Sequence, residues 1–271
     1  MRKLMRANFY RLWKSRVFWI CVAASFLISA AFLLAKQYPS QEMPSLDEMY
    51  LQIFPMLPLI HGVFAGLFLG TEYQDGTLRN KVTVGHTRGE IYLSFLAVCL
   101  CAGLGILLGW ALGVAVGALK YGWFLAPGRQ LLLNFGIIVL LTMAEDGILT
   151  LLCMLSSNKA VTAVAAILLM LGLIVLSSGF YNSLCEPEFA SAAMVTENGV
   201  EVGEPQPNPD YISGFQRKVY QFAVEALPTG QAILLANREM ERPALSAGAS
   251  VAILVLTAAA GVAAFKRKDL K

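Results

Sequence analysis

Two adjacent acids, Glu145 and Asp146, stand inside the apolar run "LLTMAEDGILTLL", and a histidine, His61, stands in another, "IFPMLPLIHG". Carboxylates and imidazoles at membrane depth serve proton relays, substrate paths or ion pairs, because an unpaired acid there costs about 2.5 kcal/mol or more. Two readings stay open: a polar lining of a translocation path or proton site, and a structural pair satisfied by a hydroxyl or a basic side chain from another helix. Neighbouring residues on a helix point about 100° apart, so the two acids face different directions. A His-and-carboxylate metal centre needs several ligands on one site, and the chain has only His61 and His86. No metal site is read, and the alternative of an intramembrane metalloenzyme falls with it. Of the five cysteines, Cys21, Cys99, Cys101 and Cys153 lie inside apolar runs and Cys185 is alone in a loop, so neither a disulfide framework nor a zinc site is encoded.

A second constellation lies between two apolar runs. The stretch "GTEYQDGTLRNKVTVGHTRGE" carries six charges of both signs, Glu72, Asp75, Arg79, Lys81, Arg88 and Glu90. Gly76 and Gly85 interrupt it, and Thr77 reads as the N-cap of a short helix "LRNKV". A connector of spans needs far fewer residues, as the turn at 156–159 shows. A short helix held crosswise between two spans is built like a docking surface.

The elements that must position these residues follow from composition. The chain has 271 residues, 57% hydrophobic and 14% charged, with a mean hydropathy of +0.61. A water-soluble domain would be about one quarter charged. Six runs are apolar and long enough to cross a bilayer: 17–35, 53–70, 91–119, 131–155, 160–180 and 247–265. The first exceeds the roughly 7–15 apolar residues of a signal peptide and reads as a retained span. Fourteen of the 21 lysines and arginines fall in the N-terminal segment, the 71–90 loop, the 156–159 turn and the tail. The positive-inside rule therefore puts both termini and the charged loop in the cytoplasm. The expected fold is all-α and integral to the membrane, one transmembrane domain over 1–271.

Several segments carry further expectations. Residues 1–16 project Leu4, Met5, Phe9, Leu12 and Trp13 to one side and Lys3, Arg6, Arg11 and Lys14 to the other, as in an interfacial amphipathic helix; a plain positive-inside flank is the alternative. Pro55 and Pro58 predict a kink or unwound turn near the outer end of span 2. In span 3, Gly105, Gly109, Gly113 and Gly117 recur every fourth residue and line one face, open to close approach by a helix of this chain or another. The segment 181–246 is outside: an irregular acidic, Pro- and Gly-rich first half, then two short helices broken at Pro228, surface-lying or re-entrant. The tail "FKRKDLK" anchors the C-terminus inside.

With these residues in view, the sequence resembles the permease subunits of the ABC-2 transporter family. In that family an acidic residue ending span 2 is followed by Gly-Thr, basic residues and a further Arg, here Glu72, Gly76, Thr77, Arg79, Lys81 and Arg88. The N-terminal helix, the six spans, "LPTGQ" before span 6 and the basic tail agree in organisation. Many relatives carry a Lys soon after the Arg, where this chain has "YLSFLA" with Phe95. The resemblance implies the transmembrane half of an ATP-driven transporter, an exporter, in a bacterial cell membrane. A cytoplasmic ATPase from another chain would dock on the 71–90 loop as a coupling helix, and a second permease chain, identical or related, would complete the pair. ATP and Mg would be bound by the partner. This chain has no "GxxxxGK[ST]" loop and so is not read as an enzyme. Lipid is an expected partner and nucleic acid is not. The transported substrate stays open. An ion-coupled secondary transporter using Glu145, Asp146 and His61, and a non-transporting sensor or immunity protein, are the alternative readings.

Overall fold

The computed structural model describes residues 1–37, 44–156, 158–191, 193–196, 199–202 and 204–268. The last residues of the basic tail lie outside that range. Among the described residues, six helices are long and apolar enough to span a membrane. In chain order, α1 (Arg2–Lys14) precedes the first span, α2 (Arg16–Ala35). The short α3 (Leu46–Met49) and a 3-10 turn (Phe54–Met56) lead into α4 (Leu57–Gln74). Then come α5 (Thr77–Thr83), α6 (Arg88–Tyr121), α7 (Gly128–Leu155) and α8 (Lys159–Cys185). After the excursion beyond α8 the chain forms α9 (Gly214–Ala226), α10 (Pro228–Ala236) and α11 (Pro243–Arg267).

The 3-10 turn carries Pro55, and Pro58 sits in the first turn of α4. There a missing N–H costs nothing, because the first helical amides lack carbonyl partners. The prolines thus start α4 rather than bend it.

Gly105, Gly109, Gly113 and Gly117 of α6 receive α2 of the same chain. A Cβ at Gly109 would lie 2.5 Å from the Val22 carbonyl oxygen, one at Gly113 would lie 2.5 Å from the Phe26 carbonyl oxygen, and one at Gly105 would lie 2.8 Å from the Phe18 ring. Gly117 faces Leu33 in the same way. Close approach lets hydroxyls cross the seam: Ser25 Oγ donates to the Ile106 carbonyl at 2.9 Å and Ser29 Oγ to the Trp110 carbonyl at 3.2 Å. Dispersion between backbones and such hydrogen bonds replace the hydrophobic effect as the cohesion between helices in lipid.

Around this pair, α4 packs on α8 and α7 packs on α11 and α6. The core at one end runs through Phe64, Phe68, Tyr92, Phe95 and Phe265, and at the other through Leu46, Phe54, Trp110 and Leu141. The first end carries α1, α5 and the C-terminus of α11.

The 181–246 segment departs from expectation in its first half. Two short antiparallel ladders pair Phe189–Ala190 with Gln206–Pro207 and Ala193–Thr196 with Gly199–Val202. Val195, Thr196, Val200 and Val202 are β-branched, which favours extended pairing once the chain turns back. In the second half, α10 does not lie on the surface: Thr229, Gly230, Gln231 and Ala232 are buried among α7, α8 and the 3-10 turn. A Cβ at Gly230 would lie 2.8 Å from the Val224 Cα, so the α9–α10 corner needs a glycine there. Gln231 then reaches α11, donating to the Ser246 carbonyl at 2.9 Å and accepting from Ser250 Oγ at 2.8 Å.

Candidate functional site

At the α1–α5 end the charged loop closes on one buried carboxylate. Glu72, in the last turn of α4, is 1% exposed. Arg11 from α1 forms an ion pair with it, and Lys81 Nζ from α5 lies 2.8 Å from its Oε2. Thr77 also donates its hydroxyl to the carboxylate, and to the Glu72 carbonyl at 3.1 Å. Lys81 continues the network to Asn8 Oδ1 at 3.0 Å, and Asn8 Nδ2 donates to Ser94 Oγ of α6 at 2.8 Å. Arg11 in turn donates to the Phe68 carbonyl at 3.2 Å and to Thr71. One carboxylate therefore joins α1, α4 and α5, with α6 attached through Asn8.

Burial lowers the Arg11 guanidinium below its ordinary range. Burial, with the Arg11 charge added, pushes the Lys81 ammonium down to about 7. The Asp75 charge opposes the shift of Arg11, since an opposite charge favours the charged form. Lys81 Nζ also stands 4.1 Å from the Phe95 ring centroid. The aromatic face of Phe95 in α6 thus receives the lysine of α5.

The local backbone follows from the sequence. Gly76 occupies the position before α5 with φ +63°, a left-handed conformation that glycine adopts without a Cβ penalty. Thr77 is therefore not the N-cap: it begins the helix, and its hydroxyl is taken by Glu72, because a buried carboxylate must find donors. The next helix is capped as a box, with Glu90 N–H donating to Thr87 Oγ1 and Thr87 N–H to Glu90 Oε2 at 3.1 Å.

The six residues read from the loop thus separate into inner and outer. Glu72, Thr77 and Lys81 meet one another. Arg88 turns away and donates to the backbone carbonyl of Lys268 beyond α11. Arg79 is exposed, alongside exposed Asn80 and Thr83; its guanidinium makes no polar contact among the described residues, and its carbonyl accepts from Thr83 Oγ1 at 3.1 Å. Val84, 79% exposed, extends that apolar-and-basic outer face. Lys81 and Arg88 are thus both engaged within the chain.

Sequence reasoning missed Asn8, Arg11 and Lys268. On α1 the buried residues are Leu4, Asn8 and Leu12, one face at a spacing of four, whereas Trp13 is 64% exposed. An asparagine between two leucines on the inner face was the available signal for Asn8. Lys268 Nζ donates to the Met154 carbonyl at 3.1 Å, the Ser156 carbonyl at 2.6 Å and Tyr73 Oη at 2.8 Å. It closes the ends of α4, α7 and α11 together.

Deeper in the bundle, His61 Nδ1 lies 2.9 Å from Asp146 Oδ1, with both side chains no more than 2% exposed. Asp146 sits against Gly103 of α6, where a side chain would collide with the carboxylate. Glu145, also buried, has no hydrogen-bond partner for its Oε1. The structure therefore brings His61 and Asp146 together between α4 and α7, and leaves Glu145 on another face. Among the described residues no group of three or more His, Cys, Asp or Glu side chains is arranged to hold a metal.

Six apolar helices packed on a shared interior, joined at one end by short polar connections, define a multi-pass membrane protein. The chain belongs to the ABC-2 family of transporter membrane proteins: the model of that family, described as ABC-2 family transporter protein, matches residues 4–183. Comparison with curated proteins finds no match. The matched range contains α1 to α8 except the first residues of α1 and the last of α8, and includes the Glu72 network and the His61–Asp146 pair. Helices α9 to α11 lie beyond it. Membership makes the chain a permease component of an ABC transporter, the transmembrane subunit rather than the ATPase, in a family that normally works with an ATPase subunit.

Proposed function

We propose that this permease is half of an exporter, that the α1–α5 end is cytoplasmic, and that a separate ATPase docks on α5 through Arg79, Asn80, Thr83 and Val84. The observation that carries the reading is the buried Glu72 network. A helix of seven residues is too short to hold its own shape in water. Tied through Lys81 and Thr77 to the end of α4, and through Asn8 to α6, α5 moves with the spans. Force applied to its outer face is then delivered to the transmembrane helices. ATP and Mg are bound by the partner, and a second permease chain completes the transporter. The weight of lysine and arginine at the α1–α5 end supports the orientation.

The test is co-purification and ATPase stimulation in vesicles. Arg79→Glu combined with Val84→Asp is expected to release the ATPase while the permease keeps its wild-type melting temperature. Full stimulation by that double variant would remove α5 as the docking site.

A further inference from the structure

At the end opposite α5, a cavity of about 510 Å³ opens between the end of α8, one side of α9 and the turn after α10. Its walls carry both signs of charge: Arg217 and Arg238 against Glu225, Glu239 and Glu241. Two of these have unfinished hydrogen bonding. Glu225 is 5% exposed; its Oε1 accepts from Arg242 at 2.8 and 3.0 Å, whereas Oε2 is buried without a partner. Arg217 Nη2 donates to the Leu184 carbonyl at 3.0 Å, whereas Nη1 is buried without a partner.

A buried acceptor and a buried donor left open are each costly, so a native site keeps them for a ligand or water. Arg217 and Glu225 lie eight residues apart on α9, about 12 Å along the axis, too far to finish each other's bonding while held by Leu184 and Arg242. A single occupant of both needs an anionic group at one end and a donating cation at the other.

We infer that this cavity binds a phosphoethanolamine-type zwitterion, with the phosphate toward Arg217 and the primary ammonium toward Glu225. A guanidinium suits phosphate oxygens, and Arg238 on the opposite wall supplies a second one. An ammonium has N–H groups to give Glu225 Oε2, which a quaternary choline lacks. Phe215 and Phe222, 83% and 61% exposed, stand on the other face of α9 and offer hydrocarbon contact that would hold the helix at a bilayer surface, with the cavity at headgroup level. They favour a lipid headgroup over a free zwitterion as the source. The site does not depend on ATPase docking, and its failure would leave that reading untouched.

Cys185 lines the cavity and is exposed, so its alkylation reports occupancy. The full chain carrying Cys101→Ser is treated with a charged maleimide in two settings. In detergent, glycerophosphoethanolamine is expected to slow alkylation several-fold, and glycerophosphocholine is not. In vesicles, phosphatidylethanolamine with phosphatidylglycerol is expected to protect where phosphatidylcholine with phosphatidylglycerol does not. Protection in vesicles identifies the lipid as the source, and protection by the soluble probe alone identifies a free zwitterion of the same chemistry. Arg217→Gln, which leaves the Arg242–Glu225 pair in place, abolishes the effect and Arg217→Lys restores part of it. Equal protection by the choline forms, no protection in either setting, or protection that survives Arg217→Gln overturns the assignment.

Discussion

At the residue scale, Glu72 and Arg79 are seven positions apart in one loop and have opposite duties. Glu72 satisfies two cations and a hydroxyl in a buried place. Removing one member of such a network leaves charges buried without compensation, a cost of roughly 3–5 kcal/mol. Glu72→Ala is therefore expected to lower the melting temperature of the solubilised permease and to release α5, so its loss of coupling is secondary to loss of structure. Arg79→Glu is expected to leave melting unchanged and to abolish stimulation; a matching drop in melting would place Arg79 in the fold instead. His61 and Asp146 invite a third comparison. Asp146→Leu strands a buried imidazole and is expected to destabilise strongly, whereas His61→Leu with Asp146→Leu recovers most of the loss, since an apolar pair of similar volume replaces a buried polar one at little cost. Melting curves of the two variants beside the parent chain measure this. If the double variant folds and transports, the pair is structural; if it folds and transport stops, the pair belongs to the substrate or proton path.

At the element scale, the glycine face of α6 was legible because its period is regular and its meaning simple: no side chain, hence close approach. What the sequence left open was the partner, since α2 and a helix of another chain satisfy the same face. Contact with Val22 and Phe26 of α2 now decides the expected phenotype. Gly109→Leu with Gly113→Leu is expected to destabilise the single chain, read as early melting and aggregation. Unchanged melting accompanied by a change in subunit association would point instead to a contact between chains. The spans were equally readable, because length and hydropathy act locally, whereas Pro55 and Pro58, which predict a kink, instead start α4. Lys81 was not. Its outward or inward direction depends on Glu72, Asn8 and Phe95, and Asn8 itself is fixed by Ser94, 86 positions further along the chain. Charge in a loop says that partners exist and not where they are. The ladders after α8 were hidden for a related reason: the glycines and acids around them mask four β-branched residues whose pairing depends on the chain turning back.

At the scale of the whole molecule, the network at Glu72 reaches α1, α4, α5 and α6 but not α7 or α11. Lys268 supplies the missing connection. Its ammonium caps the last carbonyls of α7 at Met154 and Ser156, where the helix end is electronegative and its carbonyls otherwise lack donors. The same ammonium bonds Tyr73 Oη and stands 4.0 Å from the Tyr73 ring centroid, one residue from Glu72. Arg88, at the start of α6, holds the Lys268 carbonyl. In the proposed docking, movement of α5 would reach α7 and α11 through adjacent residues at the end of α4. Lys268→Met keeps the apolar stem and removes the donors. It is expected to lower the melting temperature by only a few degrees, since hydrogen bonds to a half-buried charge contribute about 1–3 kcal/mol at most. ATPase binding is expected to persist while transport per ATP falls, because α5 would still carry α4 and α6 but not the helices beyond them. Transport assayed beside ATP hydrolysis in the same vesicles separates the two quantities. An unchanged ratio would mean that α7 and α11 follow through their packing in the bundle alone, and that the clasp at Lys268 serves only to finish the ends of the helices.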